Sequence, residues 1–245
     1  MTQALPTLHD VVSFHKNNSF VIPTGWTSLD DFIGGGVFAG ELTEFFGPSG
    51  SHKTLLAMQT SLHAAVSGKS VLVIDVLHSW SPHQISLILT SLFPSITLNS
   101  PRFKEVLACI SLRRPTTAEL EDFGTIYRWL HYVLFKLTTS PPESHPKVVI
   151  IDSISGALLP CVTSGSPSVL FEMTCIISLL KGIADSGKVV LAINSAVSNN
   201  SGLVPSLGNL WSPPLRVRVR VSEGRVIGSV HQAQPFRCRL DVDFE

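Results

Sequence analysis

Short hydrophobic runs alternate with amphipathic stretches along most of the chain. Runs rich in β-branched residues predict buried strands, and apolar residues that recur every three to four positions predict helices. The predicted strands cover residues 41–47, 69–76, 106–112, 147–153 and 188–194. The predicted helices cover residues 7–16, 27–33, 53–67, 81–93, 116–137 and 168–186. Strands and helices that alternate in this way favour a parallel sheet with helices on both faces.

The pattern changes after residue 194. Residues 195–214 are polar and rich in turn formers, which is typical of loops. Residues 215–231 then alternate by twos around Ser-Glu-Gly, which predicts a β-hairpin, and residues 236–244 alternate again. The sequence therefore predicts an α/β fold with a doubly wound, mostly parallel sheet and antiparallel strands at the C-terminal end. Residues 1–23 would form an N-terminal helix and linker, and residues 24–245 the core domain.

Composition and charge limit the function without changing this picture. The 18 Lys and Arg residues balance 18 Asp and Glu residues, so contact with nucleic acid would need a local basic patch. The four cysteines show neither C-x-x-C pairs nor zinc-ligand spacing, which predicts reduced thiols in a cytosolic or nuclear protein. We find no signal-peptide pattern and no apolar run near the ~18 residues of a membrane helix, so we expect an intracellular protein without a membrane partner.

A glycine-rich stretch, residues 45–54 (FFGPSGSHKT), lies between a predicted strand and a predicted helix. This is the context of a phosphate-binding P-loop, in which backbone N–H groups and the helix N-terminus face the phosphates. Lys53 would reach the outer phosphates of ATP, and the Thr54 hydroxyl would hold Mg²⁺. His52 stands where the G-x-x-x-x-G-K-[ST] pattern has glycine, so its Cβ would crowd the loop. The alternative is a turn that resembles a P-loop by chance.

A second candidate site residue is Asp152, at the end of the apolar run KVVIID. A carboxylate at the end of a buried strand can lie beside the water shell of Mg²⁺. The alternative is that Asp152 only caps the end of the strand. The predicted nucleotide-binding residues are Gly47, Pro48, Ser49, Gly50, Ser51, His52, Lys53, Thr54 and Asp152, with Thr54 and Asp152 as the predicted metal site.

These motifs together resemble the RecA-like recombinase family, and within it a eukaryotic recombinase paralogue of the D type. The residues that fit the family's entry pattern are Thr24, Gly25, Leu29, Asp30, Gly34 to Gly36, Gly40, Glu41, Thr43 and Glu44. VVIIDSISGALLP resembles the Walker-B strand and the start of the first DNA loop, and VVLAINS resembles the nucleotide-sensing strand. LGNLW followed by LRVRV resembles the end of the second DNA loop and the strand after it. The resemblance spans residues 20–231 and implies a RecA-like P-loop ATPase core over residues 24–245, ATP and Mg²⁺ as cofactors, and a location in the nucleus.

The chain also departs from the family pattern. Members that hydrolyse ATP well carry a Glu that acts on the attacking water, and the matching position here is Leu77, so no catalytic residue is assigned. Ser195 stands where the family often has Gln or His. Residues 159–168 and 196–210, which resemble the two DNA loops, contain no Lys or Arg, and only about twenty residues precede the core. The resemblance therefore implies at most a weak DNA-dependent ATPase.

Two further contacts are predicted outside the nucleotide site. Arg216, Arg218 and Arg220 alternate along one predicted strand and would share one face. This face would contact the DNA backbone or an acidic partner, or would be a solvated edge of the sheet. The resemblance also implies that Phe20, in an extended linker, adds a strand to a neighbouring protomer. The alternative is that Phe20 packs on its own domain.

The resemblance favours a recombination mediator in homologous-recombination DNA repair. Such a protein would bind ATP and remodel or stabilise a recombinase filament on single-stranded DNA. Its expected partners are that filament and a paralogue or small adaptor subunit in a heterodimer, and direct contact with single-stranded DNA is left open. The alternatives are a DNA-dependent ATPase with its own strand-exchange activity, a P-loop kinase or GTPase, and a structural subunit with a non-functional pocket. The kinase or GTPase alternative is disfavoured because we find neither a lid nor an N-K-x-D motif.

Overall fold

The computed structural model describes residues 19–141, 144–199, 202–213, 215–222, 225–230 and 240–243. The predicted helix over residues 7–16 lies outside these ranges, as does Cys238, so the division of the chain at residue 23 stays a prediction. Cys109, Cys161 and Cys175 are free thiols, as expected from their spacing.

Most strands follow the predicted runs. The run predicted over residues 106–112 is a strand only from Ile110, because residues 101–108 form a helix. In chain order the strands are β1 Val21–Ile22, β2 Val37–Phe38, β3 Leu42–Gly47, β4 Val71–Asp75, β5 Ile110–Arg113, β6 Val148–Asp152, β7 Val189–Asn199, β8 Gly202–Pro205, β9 Val217–Ser222, β10 Arg225–Val230 and β11 Leu240–Asp243. The helices are α1 Thr27–Ile33, α2 Lys53–Val66, α3 Pro82–Leu92, α4 Pro101–Ala108, α5 Thr117–Phe123, α6 Ile126–Thr139, α7 Ile154–Ser164, α8 Pro167–Asp185 and α9 Gly208–Trp211.

The main sheet has the strand order β11-β10-β9-β3-β7-β6-β4-β5. The strands from β9 to β5 in this order run parallel, whereas β9, β10 and β11 pair antiparallel. The predicted fold class is therefore confirmed. Because β9 lies between β10 and β3, it is an interior strand, and the interpretation of its arginines as a solvated sheet edge is wrong.

Helices cover both faces of the sheet. On one face, α1 to α4 pack on the sheet through residues such as Leu29, Leu56 and Leu89. On the other face, α6 to α8 and the segment around Trp211 pack on Leu42 and its neighbours. The carboxyl ends of β3, β4, β6 and β7 meet at one edge of the sheet because these strands run parallel.

Several elements differ from the predictions. The single helix predicted over residues 116–137 is two helices, because Gly124 adopts a left-handed φ of 69° and ends α5. The region that resembles the first DNA loop contains α7, whose N-cap Ser153 accepts a hydrogen bond from the Gly156 N–H at 3.0 Å. The region after residue 194 is also more regular than predicted, because β7 continues to Asn199 and forms a hairpin with β8.

Helix α8 is long and apolar enough to cross a membrane, with a mean hydropathy of 1.5, although the sequence pattern predicted no such segment. This is weak evidence for a membrane span, because the core helix of a soluble protein has the same properties. In this fold α8 packs its Met173, Ile176 and Leu180 side chains into the core on one face of the sheet.

Candidate nucleotide-binding site

A cleft of about 500 Å³ opens at the carboxyl edge of the sheet. Its volume lies in the range of roughly 300–1,000 Å³ that is usual for small-molecule sites. The structure brings most of the predicted site residues together around it, and adds eight that the sequence did not single out as binding residues. The lining residues are Ser49, Gly50, Ser51, His52, Lys53, Thr54, Leu55, Leu77, Ser79, Gln84, Asp152, Ser153, Ile193, Asn194 and Ser195.

The glycine-rich loop (residues 47–54) leads from β3 into α2, so the helix N-terminus faces the cleft. The Lys53 ammonium donates to the Pro48 carbonyl oxygen at 2.6 Å and to Ser51 Oγ at 3.1 Å. Burial lowers the pKa of Lys53, and the nearby Asp152 carboxylate opposes that shift. Lys53 is therefore half-buried and oriented by loop oxygens, at the place where a phosphate-binding lysine is needed.

Two positions in this loop have special backbone requirements. A Cβ on Gly47 would lie 1.9 Å from the Val221 carbonyl oxygen, so the approach of β9 requires glycine there. His52 adopts φ 63° and ψ 18°, which is the left-handed region that favours glycine. Its side chain is exposed at the rim of the cleft. His52 therefore adopts the left-handed backbone conformation that suits the glycine of the motif.

Asp152 ends β6 and is almost fully buried. Its carboxylate accepts a hydrogen bond from Trp80 Nε1 at 2.9 Å and another from the Thr54 hydroxyl. Burial raises the pKa of Asp152, and these two hydrogen bonds oppose that shift. The structure thus joins the two predicted metal-site residues to each other. Trp80 could not be found from the sequence, because 72 positions separate it from Asp152.

Leu77 and Ser195, two departures from the family pattern, both line the cleft. The Leu77 side chain is 61% exposed and borders the cleft beside Gly156. A hydrocarbon side chain offers no group that can accept a proton there. Ser195 Oγ lies 3.0 Å from Ser155 Oγ, and the Ser195 N–H donates to the same oxygen at 3.0 Å.

A buried polar network lies behind the cleft. The Glu44 carboxylate, on β3, is fully buried. One of its oxygens accepts from Asn194 Nδ2 at 2.7 Å and from Trp211 Nε1 at 2.5 Å, and the other pairs with Arg218 Nε. Asn194 in turn accepts a hydrogen bond from Ser206 Oγ at 2.8 Å. The network joins β3, β7, β9 and α9 directly behind the strand end that borders the cleft.

Comparison with known proteins gives a consistent set of relatives, although no family model matches the chain. Over 66 residues the chain is 42% identical to the DNA repair and recombination protein RadB of Thermococcus gammatolerans, an alignment covering 27% of this chain and 28% of that protein. Over 231 residues it is 27% identical to DNA repair protein RAD51 homolog 4 of Mus musculus, covering 91% of this chain and 67% of that protein.

A solved structure shows the same fold. The crystal structure of the RadB recombinase matches with a TM-score of 0.66 and 23% sequence identity, covering 91% of this chain and 96% of that chain. The chain is therefore similar in sequence to DNA repair and recombination proteins, and it has a RecA-like fold. Its alignments span less than half the length of the archaeal RadB proteins that it matches.

In this RecA-like chain, part of the entry pattern has a structural role. The backbone N–H groups of Thr24 and Gly25 donate to the Asp30 carboxylate at 2.8 Å and 3.3 Å. Asp30 thereby ties the segment before α1 to the first turns of that helix. These residues hold the start of the core in place and lie outside the set that lines the cleft.

The arginines of β9 do not form the free basic face that the sequence pattern predicted. Arg218 is paired with the buried Glu44, so its prediction as a DNA or partner contact is corrected. Arg216 is more exposed and pairs with Glu41 at 3.3 Å. Arg220 has a buried Nε without a hydrogen-bond partner among the residues that the structure describes. Contact of Arg216 and Arg220 with DNA or a partner stays a prediction.

Phe20 packs on its own domain, which is the alternative that the sequence left open. Its carbonyl oxygen accepts from the Ala39 N–H at 2.9 Å, and the following β1 pairs with β2 of the same chain. The Lys69 ammonium lies 4.7 Å from the centre of the Phe20 ring. Addition of this strand to a neighbouring protomer stays a prediction.

Proposed function

We propose that this chain is a recombination mediator in homologous-recombination DNA repair, which binds Mg-ATP and remodels or stabilises a recombinase filament on single-stranded DNA. The observation that carries the proposal is a contrast within the lining of the cleft. Lys53 and Thr54 offer groups that can bind phosphate and Mg²⁺, whereas Leu77, which also lines the cleft, is apolar. A base is needed there to activate water for fast hydrolysis. ATP would therefore act as a structural or switching ligand that turns over slowly.

The residues present fit a magnesium ion held together with ATP. Thr54 and Asp152 offer hydroxyl and carboxylate oxygens, which Mg²⁺ prefers as ligands. Among the residues that the structure describes, no cluster of three or more His, Cys, Asp or Glu side chains could hold a metal alone. This fits Mg²⁺ in phosphate-binding sites, where one or two protein ligands act with phosphates and water. The ion would neutralise phosphate charge.

The proposed contact with DNA is indirect. Helix α7 and the β7–β8 hairpin occupy the regions that resemble the DNA loops, and neither carries Lys or Arg. Binding of nucleic-acid phosphates depends mainly on such cations. We therefore assign the DNA contact chiefly to the recombinase filament. The chain would join it in the nucleus as a heterodimer with a paralogue or small adaptor subunit. Relatives named as DNA repair proteins support the repair role in this proposal.

Nucleotide binding is tested by calorimetric titration of Mg-ATP into the purified chain. Lys53→Ala should weaken binding at least ~10-fold, because a charge-assisted contact to phosphate is lost. Lys181→Ala, on the exposed face of α8 where Lys181 pairs with Asp185, is the matched control and should leave binding unchanged. Absence of binding to the wild-type chain would refute the proposed role of ATP.

Slow hydrolysis is tested by steady-state ATPase assays with single-stranded DNA. The wild-type rate should be near background, and Leu77→Glu should raise it by ~10²-fold or more, the usual contribution of a positioned base. Leu77→Gln is the control, because it adds a polar side chain of the same length without a basic group. Robust wild-type turnover that Lys53→Ala abolishes would instead favour the DNA-dependent ATPase.

One observation favours a second function, that of a structural subunit with a non-functional pocket. The polar side chains of the site already bond to each other: Lys53 to the glycine-rich loop, and Asp152 to Thr54 and Trp80. Repair assays in cells separate the two. If Lys53→Ala leaves repair intact while removing ATP binding in vitro, the structural function is favoured.

A further inference from the structure

We propose that Trp80 is a positioning residue for Asp152, and that its indole sets how strongly Mg²⁺ supports nucleotide binding. The proposal rests on the proposed binding of Mg-ATP and assigns a role to a residue outside the motifs of the site. It starts from the β4–α3 loop (residues 76–81), which also carries Leu77.

The β4–α3 loop is folded around the carboxylate of Asp75. This carboxylate is fully buried and accepts from the Ser79 N–H at 2.8 Å, from the Trp80 N–H at 3.1 Å and from Arg114 Nε at 2.8 Å. The carbonyl oxygen of Trp80 accepts a further hydrogen bond from Arg114 Nη2. The backbone of Trp80 is thus held on both its N–H and its carbonyl side.

The side chain of Trp80 is equally constrained. It is 1% exposed and packs in the core cluster that contains Ile85 and Leu89 of α3. From there its indole N–H donates to Oδ2 of Asp152. A hydrogen bond to a charged acceptor contributes roughly twice as much as one between neutral groups. The indole therefore fixes the orientation of the Asp152 carboxylate from the side of the core.

The Thr54 hydroxyl bonds to the same carboxylate from the side of the glycine-rich loop. Asp152 is therefore held by one contact from the core and one from the glycine-rich loop, beside Thr54, the other predicted metal-site residue. Donors that orient a metal-site carboxylate in this way raise metal affinity, and their loss typically costs about 10–100-fold.

Trp80→Phe removes the indole N–H and keeps an aromatic ring. We expect ATP affinity measured with Mg²⁺ to fall about 10–100-fold, and affinity measured in excess EDTA to stay within about twofold of wild type. Trp129→Phe is the matched control. Trp129 is fully buried in the other core cluster, and its indole nitrogen has no hydrogen-bond partner among the described residues. This variant should change neither affinity.

The outcomes separate the inference from the proposed function. If Trp80→Phe loses ATP affinity equally with and without Mg²⁺, or loses none, the role of Trp80 is overturned. The proposed binding of ATP by the wild-type chain is not affected by either result. A wild-type chain that binds no ATP refutes the proposed function and the inference with it. If Trp80→Phe does not fold, Arg114→Gln releases the Trp80 carbonyl, and a wild-type Mg²⁺ dependence in that variant overturns the inference.

Discussion

The ion pair between Glu44 and Arg218 should be among the most sensitive sites for the stability of this chain. Arg218→Ala removes the guanidinium while Glu44 stays fully buried, with Asn194 and Trp211 as its remaining donors among the described residues. Breaking a buried ion pair by removing one partner costs about 3–5 kcal/mol, because an uncompensated charge remains in the core. For a domain of this size, such a loss lowers Tm by roughly 6–20 °C.

The measurement is the free energy of unfolding from urea titrations near pH 7. Arg216→Ala is the matched control at the residue before β9, because the side chains of Arg216 and its partner Glu41 are 45% and 25% exposed. That variant should cost only about 0.2–1 kcal/mol. A double variant, Glu44→Gln with Arg218→Ala, removes both charges while losing the same side-chain packing, and should recover much of the loss.

Two results would refute this reasoning. If Arg218→Ala costs no more than Arg216→Ala, Glu44 does not depend on Arg218 for its charge compensation. If the double variant is as unstable as Arg218→Ala, the loss comes from packing of the arginine stem. Should Arg218→Ala weaken DNA binding and leave stability unchanged, the original prediction of a DNA contact would regain support.

Two further substitutions test local features. His52→Gly should raise the free energy of unfolding in urea by up to ~1 kcal/mol, because glycine adopts the left-handed φ without the strain of a Cβ; a decrease would contradict this. Glu119 has its pKa lowered to about 2, first by its hydrogen bond with Arg113. Because the folded pKa is depressed, the stabilisation is present above about pH 4.5 and is lost as pH falls toward 2. Wild type should therefore be more stable than Glu119→Gln at pH 7, with the difference vanishing near pH 2.

The parts of the fold that the sequence predicts are those with local signals. The strands β3, β4, β6 and β7 are apolar runs, and buried parallel strands have this composition. The glycine-rich loop also has a local signal, because its residues are adjacent in the chain. Helix α7 was missed because Pro160 and the surrounding Gly and Ser residues are typical of loops. The break between α5 and α6 was missed because apolar spacing continues across Gly124.

The polar contacts that complete the site were not predictable, because they join distant parts of the chain. Glu44 and Arg218 are 174 positions apart, and each appears ordinary in its own segment. Glu44 fits a family motif, and Arg218 fits an alternating strand. Only the placement of β9 beside β3 brings the two charges together. Trp80 similarly reaches Asp152 through a loop whose path depends on Asp75 and Arg114.

The interior position of β9 also has a consequence for synthesis of the chain on the ribosome. At roughly 5–20 residues per second, Arg218 is made about 9–35 seconds after Glu44, which lies 174 positions earlier. Both strands that flank β3 in the sheet, β7 and β9, come later in the chain than β3. An unpaired strand edge promotes association with other chains. Until β9 emerges, the nascent chain therefore exposes an unpaired edge of β3, and the Glu44 carboxylate on that strand lacks its arginine partner. We expect newly made chains to depend on chaperones over this interval.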